Sequence, residues 1–393
     1  MRLILSRRAL LGAALAAPAI GHAQGAPIRI GTLTPLTGAG GPYGPAMANC
    51  ARTVVEQVNA AGGVLGRQVQ LVSEDDQTNP EAGLRAARKL IDVDRVAAIL
   101  GTWASAVTTA VAPLCWESRT FLCTVSGADS ITQLPHNGWL IRTQPNTTLQ
   151  SRKLAELILA QGVRRVFMMA PQTPFTQTSF NQTKAILEAA GGTAELLIYD
   201  DKKPSLRTEV DQAVRFRPEA IILGGYTPDT SVLLRDLYRA SYRGKLMGYA
   251  YAVNQQLVSS LPPEVTEGIF TFAPSPAEGS PAFAAVQRIA GTQNPDPYTC
   301  QVYDHTNLVL LAIAAAGDAS GQAIRDNIRR VAQGGGVAVD NLADGLRAIA
   351  AGQKVDYDGA SGPCDFTEQG DIQDCKFRYD QVRGGRITLL RIA

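Results

Sequence analysis

Short runs rich in apolar residues alternate along this chain with longer segments whose apolar residues recur every three or four positions. The runs at 28–33, 69–72, 96–100 and 119–124 predict strands, and the segments at 45–60, 80–92 and 105–116 predict helices. In the first helix Met47, Ala51, Val54, Val55 and Val58 share one face, and Ala61-Gly62-Gly63 supplies a glycine stop. A run such as Val96-Ala97-Ala98-Ile99-Leu100 has no polar face, as expected when helices cover both sides of a parallel sheet. The rhythm restarts after Leu140, with helices at 148–161, 175–190, 206–217 and 230–240. Strands at 166–169, 194–199, 220–223 and 245–249 lie between and after them. Two doubly wound α/β halves are the simplest account. The segments 140–146, 269–274 and 352–363 read as crossings between them, a long helix covers 299–316, and DFTEQGD and VRGGR mark hairpins near the C-terminus. Three crossings restrict relative motion to a hinge.

The chain is organised around ILGTWASAVTTAV, residues 99–111, where a strand ends at Gly101 and a helix opens near Ser105. A helix N-terminus at a strand's carboxyl end offers free N–H groups and a positive dipole end to a carboxylate or phosphate. Ser105 adds a hydroxyl there. The plainer alternative is that Ser105 is an ordinary N-cap.

The first residues, MRLILSRRALLGAALAAPAIGHAQG, have the layout of a secretory signal cleaved after Ala23. Arg7-Arg8 followed by Ala9-Leu10-Leu11 suggests the twin-arginine route, with an ordinary signal as the alternative. The apolar run is too short to span a bilayer, which predicts a soluble periplasmic product. The 393-residue chain is 45% hydrophobic and 18% charged, too long for one core and too apolar for disorder. A net charge of +2 with no basic block in the mature part gives nucleic acid and anionic membranes nothing to hold. Six cysteines in an exported chain favour disulfides; Cys115–Cys123 and Cys364–Cys375 are the local pairs, which leaves Cys50 with Cys300 by subtraction, but spacing does not fix the connectivity among the roughly 15 arrangements that six cysteines allow. With no CxxC and three histidines, no metal site or other cofactor is expected.

The stretches TPLTGAGGPYGPAM, VNAAGGVLGRQVQLVSEDDQTNP, GTWASAV, SGADSITQL, GGYTPD and GYAYAVN, in that order over nearly the whole mature chain, resemble the periplasmic leucine/isoleucine/valine-binding protein family of ABC transporters. The resemblance implies a type I periplasmic-binding-protein clamshell: two doubly wound Rossmann-like lobes joined by three hinge segments. Lobe 1 is expected over 27–142 plus 274–352 and lobe 2 over 143–273 plus 353–393. It also implies a small-molecule ligand in the cleft and an inner-membrane ABC permease as partner. By position, Tyr43 and Tyr226 match cleft tyrosines, and Ser105 matches the serine that holds the ligand carboxylate. Ala128 matches a residue giving backbone contacts, Ser130 a threonine that also holds the carboxylate, and Phe175 a residue usually tyrosine. Trp103 is either a cleft wall or a lobe-packing residue.

One departure matters more than these agreements. Where the amino-acid binders carry a glutamate for the ligand ammonium, the matching residue is Ala250. An ammonium buried without its partner costs ~2–5 kcal/mol. Either Asp129 supplies the charge, or the ligand has no ammonium. The aromatic residues Trp103, Phe175, Tyr226, Tyr249 and Tyr251 favour the second, a flat apolar acid. The family's cysteine pair is absent too, its positions being Thr78 and Ala104. Glu74-Asp75-Asp76 reads as a solvated loop or hinge contact in preference to a metal cluster. A ligand sensor of the same fold is the alternative function. A hydrolase has little support, because no GxSxG occurs and His136 and His305 lack an evident nucleophile and orienting acid.

Overall fold

The computed structural model describes residues 25–393, so the twin-arginine pair and the cleavage site after Ala23 lie outside the described residues. The first lobe is built on a five-stranded sheet of β1 (Ile28–Thr34), β2 (Val69–Asp75), β3 (Ala98–Thr102), β4 (Phe121–Thr124) and β5 (Leu140–Arg142), in the spatial order β2-β1-β3-β4-β5. Every pairing in it is parallel. The helices α1 (Gly44–Ala60), α2 (Pro80–Arg88), α3 (Ser105–Glu117) and the short α4 (Ser130–Gln133) connect these strands. β3 and β4 are buried along their whole length, which is why their sequences show no alternation.

The second lobe begins with α5 (Thr147–Ala160) and continues through β6 (Arg165–Pro171), α6 (Pro174–Ala189), β7 (Thr193–Tyr199), α7 (Arg207–Arg215), β8 (Ala220–Leu223), α8 (Thr227–Arg239) and β9 (Lys245–Tyr249). After two short helices, α9 (Gln255–Ser260) and α10 (Pro263–Thr266), comes β10 (Phe270–Pro274). The chain then returns to the first lobe for α11 (Pro281–Ala290), α12 (Pro297–Ala316), α13 (Gly321–Ala332), β11 (Val337–Val339), α14 (Leu342–Ala350), β12 (Val355–Gly359) and β13 (Gly362–Pro363). A C-terminal hairpin, β14 (Phe377–Arg383) and β15 (Arg386–Ile392), closes the second sheet in the order β15-β14-β10-β9-β8-β6-β7. α12 is the spine of the first lobe: Leu308 to Ile313 are all fully buried, as expected of a helix apolar on every side.

The third crossing differs from expectation. Val355, Tyr357, Ala360, Cys364, Phe366 and Ile372 pack into the first-lobe core, whereas Phe377 and Tyr379 belong to the second. The chain therefore changes lobes between Ile372 and Phe377, later than the expected boundary at 352/353. The reason is that β12 pairs with β11 and its alternate residues Val355 and Tyr357 face the core beside α12 and α13. The three crossings run side by side: Ser275 N–H donates to Lys376 O at 2.7 Å, and Arg142 N–H to Gly370 O at 2.8 Å.

The cysteines also differ from expectation. All six are free thiols, and Cys50, Cys115, Cys123, Cys300 and Cys364 are buried in the cores as small apolar residues rather than paired. Glu74, Asp75 and Asp76 diverge, as alternation along a strand end requires. Glu74 pairs with Lys89, Asp75 accepts from Thr37 Oγ1 at 2.6 Å, and Asp76 turns inward, fully buried.

Candidate ligand-binding site

Between the lobes lies a crevice lined by Trp103, Ser105, Val125, Gly127, Gln144, Gln150, Thr173, Phe175, Gly224, Tyr226, Tyr251 and Tyr298. The parallel sheets explain its position. Trp103 and Ser105 follow β3, Val125 and Gly127 follow β4, Thr173 and Phe175 follow β6, Tyr226 follows β8 and Tyr251 follows β9. All are at carboxyl ends of strands, where open α/β sheets place ligands. The first crossing and α5 contribute Gln144 and Gln150, and the first turn of α12 contributes Tyr298.

One wall is aromatic. Trp103 sits 5.2 Å from Tyr226, 6.4 Å from Tyr251 and 5.7 Å from Tyr298, ring centre to ring centre, and Phe175 meets Tyr251 edge-on at 5.8 Å. Tyr249 is one layer deeper, stacked on Tyr251 at 5.1 Å and hydrogen-bonded to Ser179. The polar groups are neutral. Ser105 Oγ accepts from Ala128 N–H at 3.2 Å, Gln301 Nε2 donates to Gln144 Oε1 at 2.8 Å, and Gln150 Nε2 donates to Pro145 O at 2.6 Å. Among the described residues no charged side chain lines the crevice. Its interior is about 40 Å³, room for roughly three waters, so a ring-sized ligand enters only if the lobes part or an aromatic side chain turns.

Of the residues expected at the site, Trp103, Ser105, Phe175 and Tyr226 line the crevice together. Ser105 is the first residue of α3 and not its cap, which is Ala104. Ala128 is behind it, fully buried, its N–H on Ser105 and its carbonyl accepting from Arg142. The other three do not line it. Tyr43 is packed behind Trp103, stacked at 5.5 Å, because its hydroxyl is drawn to Ala250 O at 3.0 Å. Ala250 spends its carbonyl on that bond and its N–H on Phe272 O. Ser130 is exposed at the start of α4 and is not among the residues that line the crevice. Asp129 does not replace the missing glutamate: its carboxylate accepts from Thr148 N–H at 3.2 Å and Thr148 Oγ1 at 2.5 Å, capping α5.

The acids nearest the crevice are likewise engaged. Asp229 accepts from Tyr199 Oη at 2.6 Å and Tyr226 N–H at 2.9 Å, and burial raises its pKa to about 6. Asp296 caps α12 through Thr299 N–H at 3.0 Å, and burial raises its pKa as well. By contrast α3 begins without a side-chain cap and without an acid in its first turn. The sequence reading missed Gln144, Gln150, Thr173 and Tyr298; the polar stretch QPNTTLQ beside the first crossing was the signal for two of them.

A family model described as periplasmic binding protein matches residues 27–383. The chain belongs to the periplasmic binding protein family. Two relatives of this binding protein illustrate the match. The chemotactic signal transduction system substrate-binding protein BasB of Halobacterium salinarum is 27% identical over 87% of this chain and 84% of its own length. The Leu/Ile/Val-binding protein BraC3 of Rhizobium johnstonii is 26% identical over 79% of this chain and 84% of its own. Among solved structures, the leucine-binding protein LivK of Thermotoga maritima superposes with a TM-score of 0.78 at 20% identity, covering 93% of this chain and 98% of that one. An R. palustris solute-binding protein in complex with benzoate superposes with a TM-score of 0.76 at 16% identity, covering 93% and 96%. These structural likenesses establish the type I fold of the binding protein. Among the described residues no single helix is long and apolar enough to cross a membrane.

Proposed function

We propose that this binding protein captures a small carboxylate-bearing ligand, an aromatic or aliphatic acid in preference to an amino acid, and delivers it to an inner-membrane ABC permease. The observation that carries the reading is the uncapped N-terminus of α3, which opens into a crevice with no charged side chain. A carboxylate there takes Ser105 Oγ–H, and takes over the Ala128 N–H that Ser105 Oγ holds in this structure. Neutral donors and a helix dipole hold an anion without a fixed cation. An ammonium finds no carboxylate to pair with, since Ala250 replaces the family's glutamate and Asp129 is spent on α5. The aromatic wall suits a planar ligand, and the likeness in fold to an R. palustris solute-binding protein in complex with benzoate supports this reading.

Export through a signal cleaved after Ala23 completes the proposal. The six unpaired thiols fit the twin-arginine route, in which a chain folds in the reducing cytosol before it crosses the membrane. The protein performs no chemistry on its cargo: His305 is sealed against Thr143 at 2.8 Å with its pKa lowered by burial to about 3, and His136 bonds a backbone carbonyl. The similarity to BasB supports a second reading, a sensor presenting the same ligand to a signalling partner.

The test is a thermal-shift screen of leucine, its deaminated keto acid and benzoate-type acids, with Ser105→Ala beside the wild type. Stabilisation by the acids and about tenfold weaker binding in Ser105→Ala are expected, since one charge-assisted hydrogen bond is worth ~1.5–3 kcal/mol. Strong stabilisation by leucine with none by the acids overturns the ligand class. Unchanged acid affinity in Ser105→Ala removes Ser105 from the site.

A further inference from the structure

We propose that Gln144 and Gln150 are specificity-determining residues that select, among carboxylate ligands, those bearing a hydroxyl group on the body held by the aromatic wall; the proposal rests on the acid-binding reading above. Both side chains line the crevice and are only 3% and 2% exposed. Each amide is half engaged by the protein. Gln144 Oε1 accepts from Nε2 of Gln301, itself 1% exposed, at 2.8 Å, and Gln150 Nε2 donates to Pro145 O at 2.6 Å. These bonds fix which end of each amide is left over: the Gln144 Nε2 donor and the Gln150 Oε1 acceptor, neither of which has a partner among the described residues. Because Gln150 bonds the residue next to Gln144, both amides come from one short stretch of chain where the first crossing enters α5.

A carbon placed on Gly127 would sit 2.8 Å from Gln150 Nε2 and 2.9 Å from Phe175 Cε2, so the bare glycine is what lets this amide stand beside the aromatic wall. A ligand body laid against that wall displaces water from both amides. A wholly apolar body then leaves a buried donor and a buried acceptor unpaired, which costs more than a hydrogen bond gains. A hydroxyl is the smallest group that can both accept from Gln144 Nε2 and donate to Gln150 Oε1. An ammonium only donates and a second carboxylate only accepts, so each satisfies one amide and strands the other. A site built around such groups rejects the analogue that lacks the hydroxyl. Gln301 is a positioning residue: it is not part of the crevice lining and acts by holding the Gln144 amide.

The experiment is calorimetric titration of the protein with benzoate and the three monohydroxybenzoates, repeated on Gln144→Met and Gln150→Met, which keep the side-chain length and lose the amide. At least one monohydroxybenzoate is expected to bind the wild type about tenfold more tightly than benzoate. In each variant that ratio should fall to about one, with benzoate affinity unchanged or higher because an amide is no longer stranded beneath the ring. A merely structural role would lower both affinities together and leave the ratio as it was. Benzoate binding to the wild type with no isomer preferred, or a preference that survives in both variants, overturns the proposal and leaves the acid-binding reading standing. Failure of benzoate and of all three isomers to bind overturns the acid-binding reading and this proposal with it.

Discussion

Arg142 is the residue on which hinge and crevice both depend, and its replacement gives a prediction with a calculable size. Its side chain is wholly buried, yet every face of the guanidinium is engaged. Nε donates to Asp371 Oδ1 at 2.7 Å, one terminal nitrogen lies 2.5 Å from the same oxygen and donates to Thr132 Oγ1 at 2.9 Å, and the other donates to Ala128 O at 2.6 Å. Burial lowers its pKa and the Asp371 charge offsets part of that. Arg142→Met would strand Asp371 and the Ala128 carbonyl together. Breaking a buried pair costs ~3–5 kcal/mol, and the low end applies here because Asp371 keeps 17% of its side chain in solvent. Urea unfolding followed by tryptophan emission measures this, because all three tryptophans, Trp103, Trp116 and Trp139, are in the first lobe. Combining Arg142→Met with Asp371→Leu should recover part of the loss, since no charge is then left unpaired. A loss below ~1 kcal/mol in both single variants, Arg142→Met and Asp371→Asn, would refute the claim that this pair holds the crossing to the binding loop.

Two further substitutions probe the site's electrostatics. Ala104→Ser places a cap on α3: it should raise first-lobe stability by ~1 kcal/mol and lower the affinity for a carboxylate several-fold by competing for the same N–H groups, read by melting and by calorimetric titration with benzoate. Asp76 has a pKa raised by burial to about 7, and its Oδ2 has no partner. A raised folded-state value means its contribution to stability is fully present below about pH 4 and is lost as pH climbs through 7. Asp76→Asn should therefore melt higher than wild type at pH 8, by at most ~4 kcal/mol, and equal it near pH 4; a pH-independent difference would contradict the burial argument.

The element order was legible because a buried parallel strand such as β3 has no polar face and its flanking helices repeat at 3.6 residues. What escaped were α11, α13 and α14, although Ser280, Ser320 and Asn341 announce them as N-caps whose side chains accept from the backbone. The third crossing was misplaced because residues 352–363 look alike whether they bridge lobes or, as β12 and β13, finish one; only the partners of Cys364, Phe366 and Ile372 decide. Site residues directly after strands were readable, as Trp103, Ser105 and Tyr226 show. Tyr298 was not, because it reaches the crevice from a helix far along the chain. Cysteine counting failed for a related reason: number and spacing carry no information about which way a thiol points.

The neutrality of the crevice follows from the same geometry that created it. Parallel strands deliver helix N-termini to the cleft, and each exposes backbone N–H groups that need acceptors. The chain supplies them as side chains, with Asp129 at α5, Thr173 at α6, Asp229 at α8 and Asp296 at α12. Every acid so used is committed to backbone N–H groups and lost to a ligand ammonium. Ala250 adds none, and its carbonyl belongs to Tyr43. α3 is the crevice-lining helix whose first turn was given no such acceptor. The carboxylate ligand proposed above would bring the negative charge that completes this set of helix ends.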